Sequence, residues 1–469
     1  MNKNSSIKPR LTIALFILGV LLALLGIVFT PPFVAKYVKH TETLNPYLTD
    51  KVLLYQLYTI TLGCLVIFVS ALVYSRAFAK ILFLPLLIAY LLLVYGFYIN
   101  KKYPDNILAK PSELVKTWHV LLGNDLALTD YQPKAVLKVK NKEVNRARYP
   151  VIDVHFHFGS LENINSDELV KSMDAAGISK IVNLDGAPGD FEKFTREFRD
   201  KYPDRFMMFV RLNLHEINEP NFLQDQITRL ESAVRMGAKG LKVIKNLGLE
   251  IKDETGKLIP IDDPRLDPIW DKAGELGIPV LIHVTDPTPF FQPVGRFNER
   301  YEELKRYPGW SFYGPKFPSK EALLEQRENL VRKHPGTNFI AAHFGDNPED
   351  LEYAAGLMDK YPNYYVDMSS RLPELGRQPF TARDFFIKHQ DRILFGSDGG
   401  FGLGRGGWTV EKFYGTYFQF LETTNEYFDY PLWGIYTQGR WKIYGLNLPD
   451  EVLEKIYYKN AARILGLEE

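Results

Sequence analysis

From residue 149 onward the chain alternates between two spacings of apolar residues. Runs rich in apolar and β-branched residues fall at 149–157, 179–184, 205–213, 238–245, 278–284, 337–343, 363–368 and 392–398. Each has the length and content of a buried strand. Between them, stretches such as 166–176, 221–236, 319–333 and 379–390 repeat apolar residues at helical spacing. Helix-start signals stand at several of these: Ser166 with Glu168 and Leu169 behind it, Ser319 ahead of Glu321, and Thr381 ahead of Asp384. Eight strand and helix repeats predict an α/β fold of the (β/α)8 TIM barrel type, with an open doubly wound sheet as the alternative. The connection after the fifth strand, 285–318, is much longer than an ordinary loop and carries Phe290, Phe291, Phe297, Trp310, Phe312 and Tyr313. A substrate lid is expected there, a rim-packed loop being the alternative.

Ahead of the barrel the pattern is different. Residues 11–30, 52–75 and 81–100 contain no charged side chain, and each has the roughly 20 residues that cross a bilayer. They predict three transmembrane helices, so that 1–100 forms a membrane anchor with the lipid bilayer as partner. Residues 101–148 then read as a polar connector with a candidate pair of short strands near 134–144, and 149–469 as the barrel. The first span could be a signal peptide, but it is long for one, lacks a clear small-residue cleavage site and is followed by two equally apolar segments. An inside amino terminus puts Lys3, Lys8, Arg10, Arg76 and Lys80 within the cytoplasm and Lys36, Lys39, Lys51, Lys101 and Lys102 outside. The tally is even. The basic flank of the first span and the short turn at 76–80 favour a cell-membrane protein with its catalytic domain outside the cytoplasm.

Composition narrows the chemistry. Lys and Arg total 57 against 56 Asp and Glu, which lacks the basic footprint of a nucleic-acid binder. Cys64, the only cysteine, lies in the second apolar span. An internal disulfide and a cysteine-rich zinc site are excluded. Any metal must be held by His, Asp, Glu or Lys.

Residues 151–159 read VIDVHFHFG. In an extended chain Asp153, His155 and His157 share one face, so two imidazoles converge on one spot. His283 and His343 fall at the ends of the fifth and sixth strand runs, and Asp398 at the end of the eighth. In a barrel those ends open onto one mouth. Burying five such groups there without a metal or a hydrogen-bond network would be costly.

The set formed by His155 and His157 on strand one, His283 in PVLIHV, His343 in FIAAHFG and Asp398 in LFGSDGG resembles the amidohydrolase superfamily, and within it the amidohydrolase-2 branch, over roughly 149–467. The resemblance implies metal ligation by His155, His157 and His283, with Asp398 at the metal near the attacking water and His343 polarising substrate or water. It implies one divalent ion, with zinc expected. Binuclear members bridge two metals with a carboxylated lysine on strand four, where this chain offers Lys242 and Lys245. Lys245 is expected to be a substrate contact or a charge partner, with Lys242 as the alternative. Arg211 and Arg371 are further candidates for holding an anionic group, with a salt-bridged rim residue as the alternative for each, and Asp153, deeper on the shared face, is a candidate for supporting the ligands. The activity expected is hydrolysis of a C–N or C–O bond (amide, lactone or ester) in a small anionic or aromatic substrate. Decarboxylation of an aromatic or unsaturated acid is the alternative, because decarboxylases of this branch share the ligands. A membrane sensor or binding protein without turnover is the reading outside enzymology.

Overall fold

The chain divides into two compact units, Met1–Val136 and Leu137–Glu469. A computed structural model describes residues 135–159, 165–186, 190–400, 409–430 and 438–467, together with Gly63, Val66 and Ile67, which are helical. The spans expected at 11–30, 52–75 and 81–100 otherwise lie outside the described residues. Among the described residues no helix is long and apolar enough to cross a membrane.

Eight parallel strands pair in sequence order: β1 (Val151–Phe156), β2 (Ile178–Gly186), β3 (Phe206–Arg211), β4 (Gly240–Val243), β5 (Val280–Ile282), β6 (Phe339–Ala341), β7 (Tyr364–Asp367) and β8 (Ile393–Leu394). Backbone bonds from Val154 N to Phe395 O (3.0 Å), Asp398 N to His155 O (2.8 Å) and His157 N to Gly399 O (2.8 Å) join the end of β8 to β1. This seam closes the barrel and rules out the open sheet. It also brings the first and last site segments side by side.

A helix follows each strand: α1 (Ser166–Ala176), α2 (Asp190–Phe194), α3 (Phe222–Arg235), α4 (Asp267–Glu275), α5 (Lys320–Lys333), α6 (Leu351–Lys360), α7 (Pro379–Lys388) and α8 (Val410–Glu422). The expected start signals hold in one case of three. Ser319 caps α5 by accepting from Ala322 N, whereas α1 is capped by Asn165, which accepts from Asp167 N and Glu168 N. Thr381 lies inside α7, which begins at a proline whose missing N–H costs nothing in the first turn. The stretch 135–144 carries no strand, against the pair considered from sequence. Asn141 and Lys142 instead bond Glu426 and Asn425.

Alternate strand residues build the interior. Ile152, Val154, Val182, Leu184, Met207, Phe209, Leu281, Ile340 and Leu394 form one buried cluster, joined by Ala461, Ala462 and Ile464 of the carboxy-terminal helix. The strict alternation expected along β1 breaks: its register with β2 shifts between Asp153 and Phe156. Phe158 then packs among Phe194, Phe198 and Phe206, with ring centroids 5.0 Å from Phe198. Each buried aromatic of this kind contributes about 1.5–3 kcal/mol, so the segment carrying His157 is anchored on both sides of the imidazole.

The 285–318 connection is packed on the barrel rim, as in the alternative considered for it. Phe290 and Phe312 are buried with Leu249, Leu304 and Leu323, and Phe291 and Phe317 pack against them. Trp310 faces the cavity at the barrel mouth, while Phe297 is exposed.

Candidate metal centre and active site

The mouth holds a cavity of about 200 Å³ whose lining includes Lys245, His283, Phe290, Arg300, Trp310, His343, Arg371 and Asp398. At its floor, ligand-type atoms of His155, His157 and Asp398 lie within 4.8 Å of one another. Asp398 Oδ1 is 3.5 Å from His155 Nε2 and 3.4 Å from His157 Nε2. Neither contact is a good hydrogen bond.

The ring nitrogens on the far side explain this. His155 Nδ1 is 2.9 Å from Asp367 Oδ2, and His157 Nδ1 is 2.8 Å from Asp185 Oδ1. With both carboxylates ionised, each Nδ1 donates to its carboxylate and each Nε2 is turned toward Asp398. Burial lifts Asp367, but the charge and hydrogen bond of His155 and the bonds from Ser369 outweigh it and hold the group at about 2. Asp185 is likewise lifted by burial and brought down to about 2 by His157, Arg211 and the Gly159 N–H. Burial pushes His155 down to about 4, which keeps it neutral at pH 7. The His155 Nε2 lone pair, the His157 Nε2 and one carboxylate oxygen therefore face each other, and His155 Nε2 is buried with no hydrogen-bond partner among the described residues. A cation satisfies such a set, and the carboxylate–imidazole pairs behind it are the supports typical of metal-ligating histidines. The donors fit a divalent metal.

His343 reaches the same space by another route. It follows β6 in a left-handed backbone conformation (φ 55°), and its ring lies 4.8 Å from that of His155 and 4.4 Å from that of His283. Its Nδ1 donates to the Ser369 carbonyl (3.0 Å), with the Ser369 hydroxyl 2.9 Å away. Ser369 gives its own proton to Asp367 Oδ1. That network accounts for the close grouping of His155, His343 and Asp367 without an ion. Burial and nearby cations hold His343 well below an ordinary imidazole. It is neutral, with Nε2 unprotonated.

Asp398 also has a positive φ (58°), as does Ser370 (52°). Non-glycine residues held there carry strain, and such strain collects at functional sites. Ser370 Oγ donates to Asp398 Oδ2 at 2.8 Å. The glycines beside Asp398 are needed for packing: a Cβ on Gly400 would sit 2.4 Å from the His157 carbonyl, and one on Gly399 2.6 Å from the Phe156 ring. They let β8 close against β1.

The remaining sequence candidates separate. His283 stands at the mouth, but its Nε2 donates to the Thr285 carbonyl (2.8 Å) and lies 3.6 Å from both Asp286 and Asp346. It is outside the tight group of ligand atoms. Lys245 lines the cavity yet is ion-paired to Asp286. Burial would lift Asp286, but Lys245 and His283 hold its carboxyl well below the usual range. Lys242 points into the barrel, buried, with no hydrogen-bond partner for Nζ among the described residues. Burial lowers it to about 8, with Asp367 and Asp398 pulling the other way. Arg211, a candidate for holding an anionic group or for a salt-bridged rim residue, is absent from the cavity lining and takes the second role: it donates to the Leu184 carbonyl (2.7 Å) and pairs with Asp185, so it fixes the carboxylate that fixes His157. Asp153 supports the His155 backbone rather than its ring: Oδ1 accepts from His155 N (3.1 Å) and Ser397 N (3.0 Å), and Oδ2 from Tyr414 OH (2.7 Å). Burial lifts it to about 7. Asp185, Asp367 and Ser369 were missed from sequence, although NLDG and YVDMSS place two carboxylates at strand ends by the same rule that found Asp398.

A closed (β/α)8 barrel with imidazoles and carboxylates gathered at the carboxy-terminal strand ends defines the metal-dependent class of barrel enzymes. The chain belongs to the amidohydrolase family Amidohydro_2, whose family model, described as amidohydrolase, matches residues 152–467. Similar solved structures include a dihydroxybenzoic acid decarboxylase from Polaromonas with bound manganese and 2-nitroresorcinol (17% identity, 68% of this chain and 97% of that one, TM-score 0.43). Another is a probable 2-pyrone-4,6-dicarboxylic acid hydrolase from Acinetobacter baumannii with citric acid (11%, 68% and 99%, TM-score 0.40). A third is a 4-oxalomesaconate hydratase from Rhodopseudomonas palustris (16%, 67% and 95%, TM-score 0.40). No curated protein matches the chain.

Proposed function

We propose that this protein is a metal-dependent hydrolase that adds water across a C–N or C–O bond, as in an amide, lactone or ester, of a small anionic or aromatic substrate. The observation that carries the reading is the convergence of His155 Nε2 and His157 Nε2 on Asp398 Oδ1, at 3.5 and 3.4 Å, with each Nδ1 already bonded to a carboxylate. His155, His157 and Asp398, completed by His283 if its ring turns, would hold the ion, and zinc is the metal these donors suit. When bound there, a divalent metal supplies a Lewis acid and lowers the pKa of water from near 15.7 toward about 7.

The chain's own groups then have defined tasks. Asp398, partly exposed and steadied by Ser370, takes the proton of the attacking water and passes it to the leaving group. To polarise a substrate oxygen, His343 would need an N–H on Nε2. Its Nδ1–H is committed to the Ser369 carbonyl, so Nε2 accepts a hydrogen bond or a proton instead. Phe290 and Trp310 give the cavity an aromatic lining.

Those aromatic walls, with Arg371 beside them, favour a second reading, decarboxylation of an aromatic or unsaturated acid. Full-length protein loaded with zinc and offered amides, lactones, esters and aromatic acids separates the two. Hydrolysis products without carbon dioxide support the first reading. Carbon dioxide release installs the second, and bound metal with no turnover on the panel leaves a binding protein.

The three charge-free segments in 1–100 support an anchor in the cell membrane, with the barrel outside the cytoplasm. Protease added to spheroplasts should then cut the barrel domain. Full protection reverses the topology, and release of the chain by alkaline washing removes the anchor.

A further inference from the structure

Exposed apolar side chains gather at one place on the barrel domain. Val294, Phe297, Tyr301, Trp310 and Tyr313 stand on the 285–318 connection, and Phe380 in the first turn of α7. Apart from Val136, Leu137 and Val139 ahead of the barrel, Met236 is the one other large exposed hydrophobic among the described residues. Phe297 (87% exposed) and Phe380 (86%) are the barest of the rim group. They lie close in the chain to Glu299 and Arg377, whose ion pair (3.0 Å) ties the connection to the segment entering α7. Phe290 and Phe312 already fill the core of the connection, so the outer rings form an apolar face with no partner in the fold.

Charge on the same connection is sorted. Its acids are all spent inside the protein: Asp286 on Lys245, Glu299 on Arg377, Glu302 on Arg440 and Glu303 on Arg300. Its other bases are not, since Arg296, Lys305, Arg306 and Lys316 are exposed and enter no ion pair among the described residues. Three of them lie over rings instead: Arg296 on Phe297 (4.6 Å), Lys305 on Tyr301 (5.6 Å) and Arg306 on Tyr307 (5.6 Å). Tyr307 in turn stacks on Trp310, with centroids 4.5 Å apart. Aromatic rings interleaved with uncompensated cations suit the zone between lipid headgroups and acyl chains, where rings bury their bodies and basic groups meet phosphates. A second copy of the chain fits the patch poorly, because a two-fold interface sets the same surface against itself, cation against cation.

We propose that this face of the 285–318 connection docks on an anionic lipid surface, with Phe297 and Phe380 entering the headgroup layer and Arg296, Lys305, Arg306 and Lys316 meeting lipid phosphates. Docking sets the cavity mouth against the membrane, since Trp310 belongs both to the patch and to the cavity lining. The proposal depends neither on the reaction assigned above nor on the anchor proposed for 1–100.

The test therefore reads the patch itself in the full-length chain. Cys64→Ser removes the native thiol, and Phe297→Cys then carries a polarity-sensitive dye, with Phe380→Cys as a second reporter and Met236→Cys as the control away from the rim. Each protein is mixed with, or reconstituted into, bilayers of phosphatidylcholine alone and of phosphatidylcholine with phosphatidylserine. Emission from positions 297 and 380 should shift to the blue on the anionic bilayer and not on the neutral one, and position 236 should not respond. High salt, which shortens the screening length, should reverse the shift. Arg296→Gln and Lys305→Gln should each lower the ratio of docked to undocked protein about fivefold, the worth of one basic side chain near an anionic lipid surface. No shift at either rim position, an equal shift at 236, or a shift indifferent to lipid charge would each overturn the proposal. A shift that grows with protein concentration in the absence of lipid would overturn it in favour of a second copy. Release of the chain by alkaline washing would remove the anchor proposed above and leave a charge-dependent shift at the rim standing.

Discussion

The two sides of the barrel mouth spend their titratable groups in opposite ways. On the β1–β8 side, each imidazole is tied by Nδ1 to a buried carboxylate and leaves Nε2 bare toward Asp398. On the β4–β5 side, the groups satisfy one another: Lys245 pairs with Asp286, and His283 spends Nε2 on the Thr285 carbonyl. Unspent lone pairs mark the place for a cation, and mutual pairing marks a wall. The difference teaches that residue type alone does not make a ligand. What matters is which atom the surroundings leave free.

The hardest blow to this contrast should come from His155→Ala or His157→Ala. Either should empty the site, seen by elemental analysis after metal-replete expression, and reduce turnover by more than any carboxylate substitution does. Retention of a full metal equivalent would dissolve the distinction between the two sides. His283→Ala serves as the control from the other side, and a complete loss of metal there would show that its ring turns to join the ligands.

Asp398→Asn should cost on the order of 10²–10⁴ in rate, the usual contribution of a positioned base. Asn tolerates the left-handed backbone that Asp398 adopts, so the fold should survive. Metal content should fall far less than in His155→Ala. A variant with full activity would sever β8 from the chemistry.

Asp367→Asn and Asp185→Asn remove the charge behind His155 and His157 and should weaken metal affinity by about 10–100-fold, as loss of a supporting carboxylate does. Competition with a metal indicator reads this directly. Unchanged affinity in both would mean that the tautomers are fixed by something else.

Protons should compete at the same side. Burial lowers His155 from 6.5 to about 4, so the unfolded chain binds the proton more readily than the folded one. The stability this contributes is present above pH 6.5 and is lost as pH falls toward about 4. For metal-stripped protein the loss is about 3 kcal/mol at most. Asp153, lifted to about 7, acts with the opposite sign. Denaturant midpoints of the parent and of His155→Gln, compared across this range, cancel that contribution, and parallel curves would refute the buried neutral imidazole.

The smallest effect belongs to the other side. The Lys245 side chain is 34% exposed but Asp286 is only 8% exposed, so Lys245→Met should cost about 1–3 kcal/mol of stability, as for a buried group left without its partner, and its effect on the ion should be the smallest of the series. Metal content should not change. A clear drop in metal would tie the β4–β5 side to the ion after all.

The sequence by itself determined the barrel and the short list of chemistry. Strand and helix periods repeat because each strand must bury one face and each helix one stripe, so eight repeats were legible without coordinates. Strand-end position carried His155, His157, His283, His343 and Asp398 to one mouth, because parallel closure brings all carboxy-terminal ends together. Tertiary structure decided the rest. The register shift in β1 parted Asp153 from the imidazole rings, a displacement that no periodicity records. The seam between β8 and β1 turned two glycines into packing necessities. Arg211 became a brace for Asp185, and Arg371 was left without an ion-pair partner among the described residues. Asp367 and Asp185 set which ring nitrogen keeps its proton. Such choices depend on partners far away in the chain, 212 residues for His155 and Asp367, and a hydrogen bond over that separation exists only once the barrel has closed.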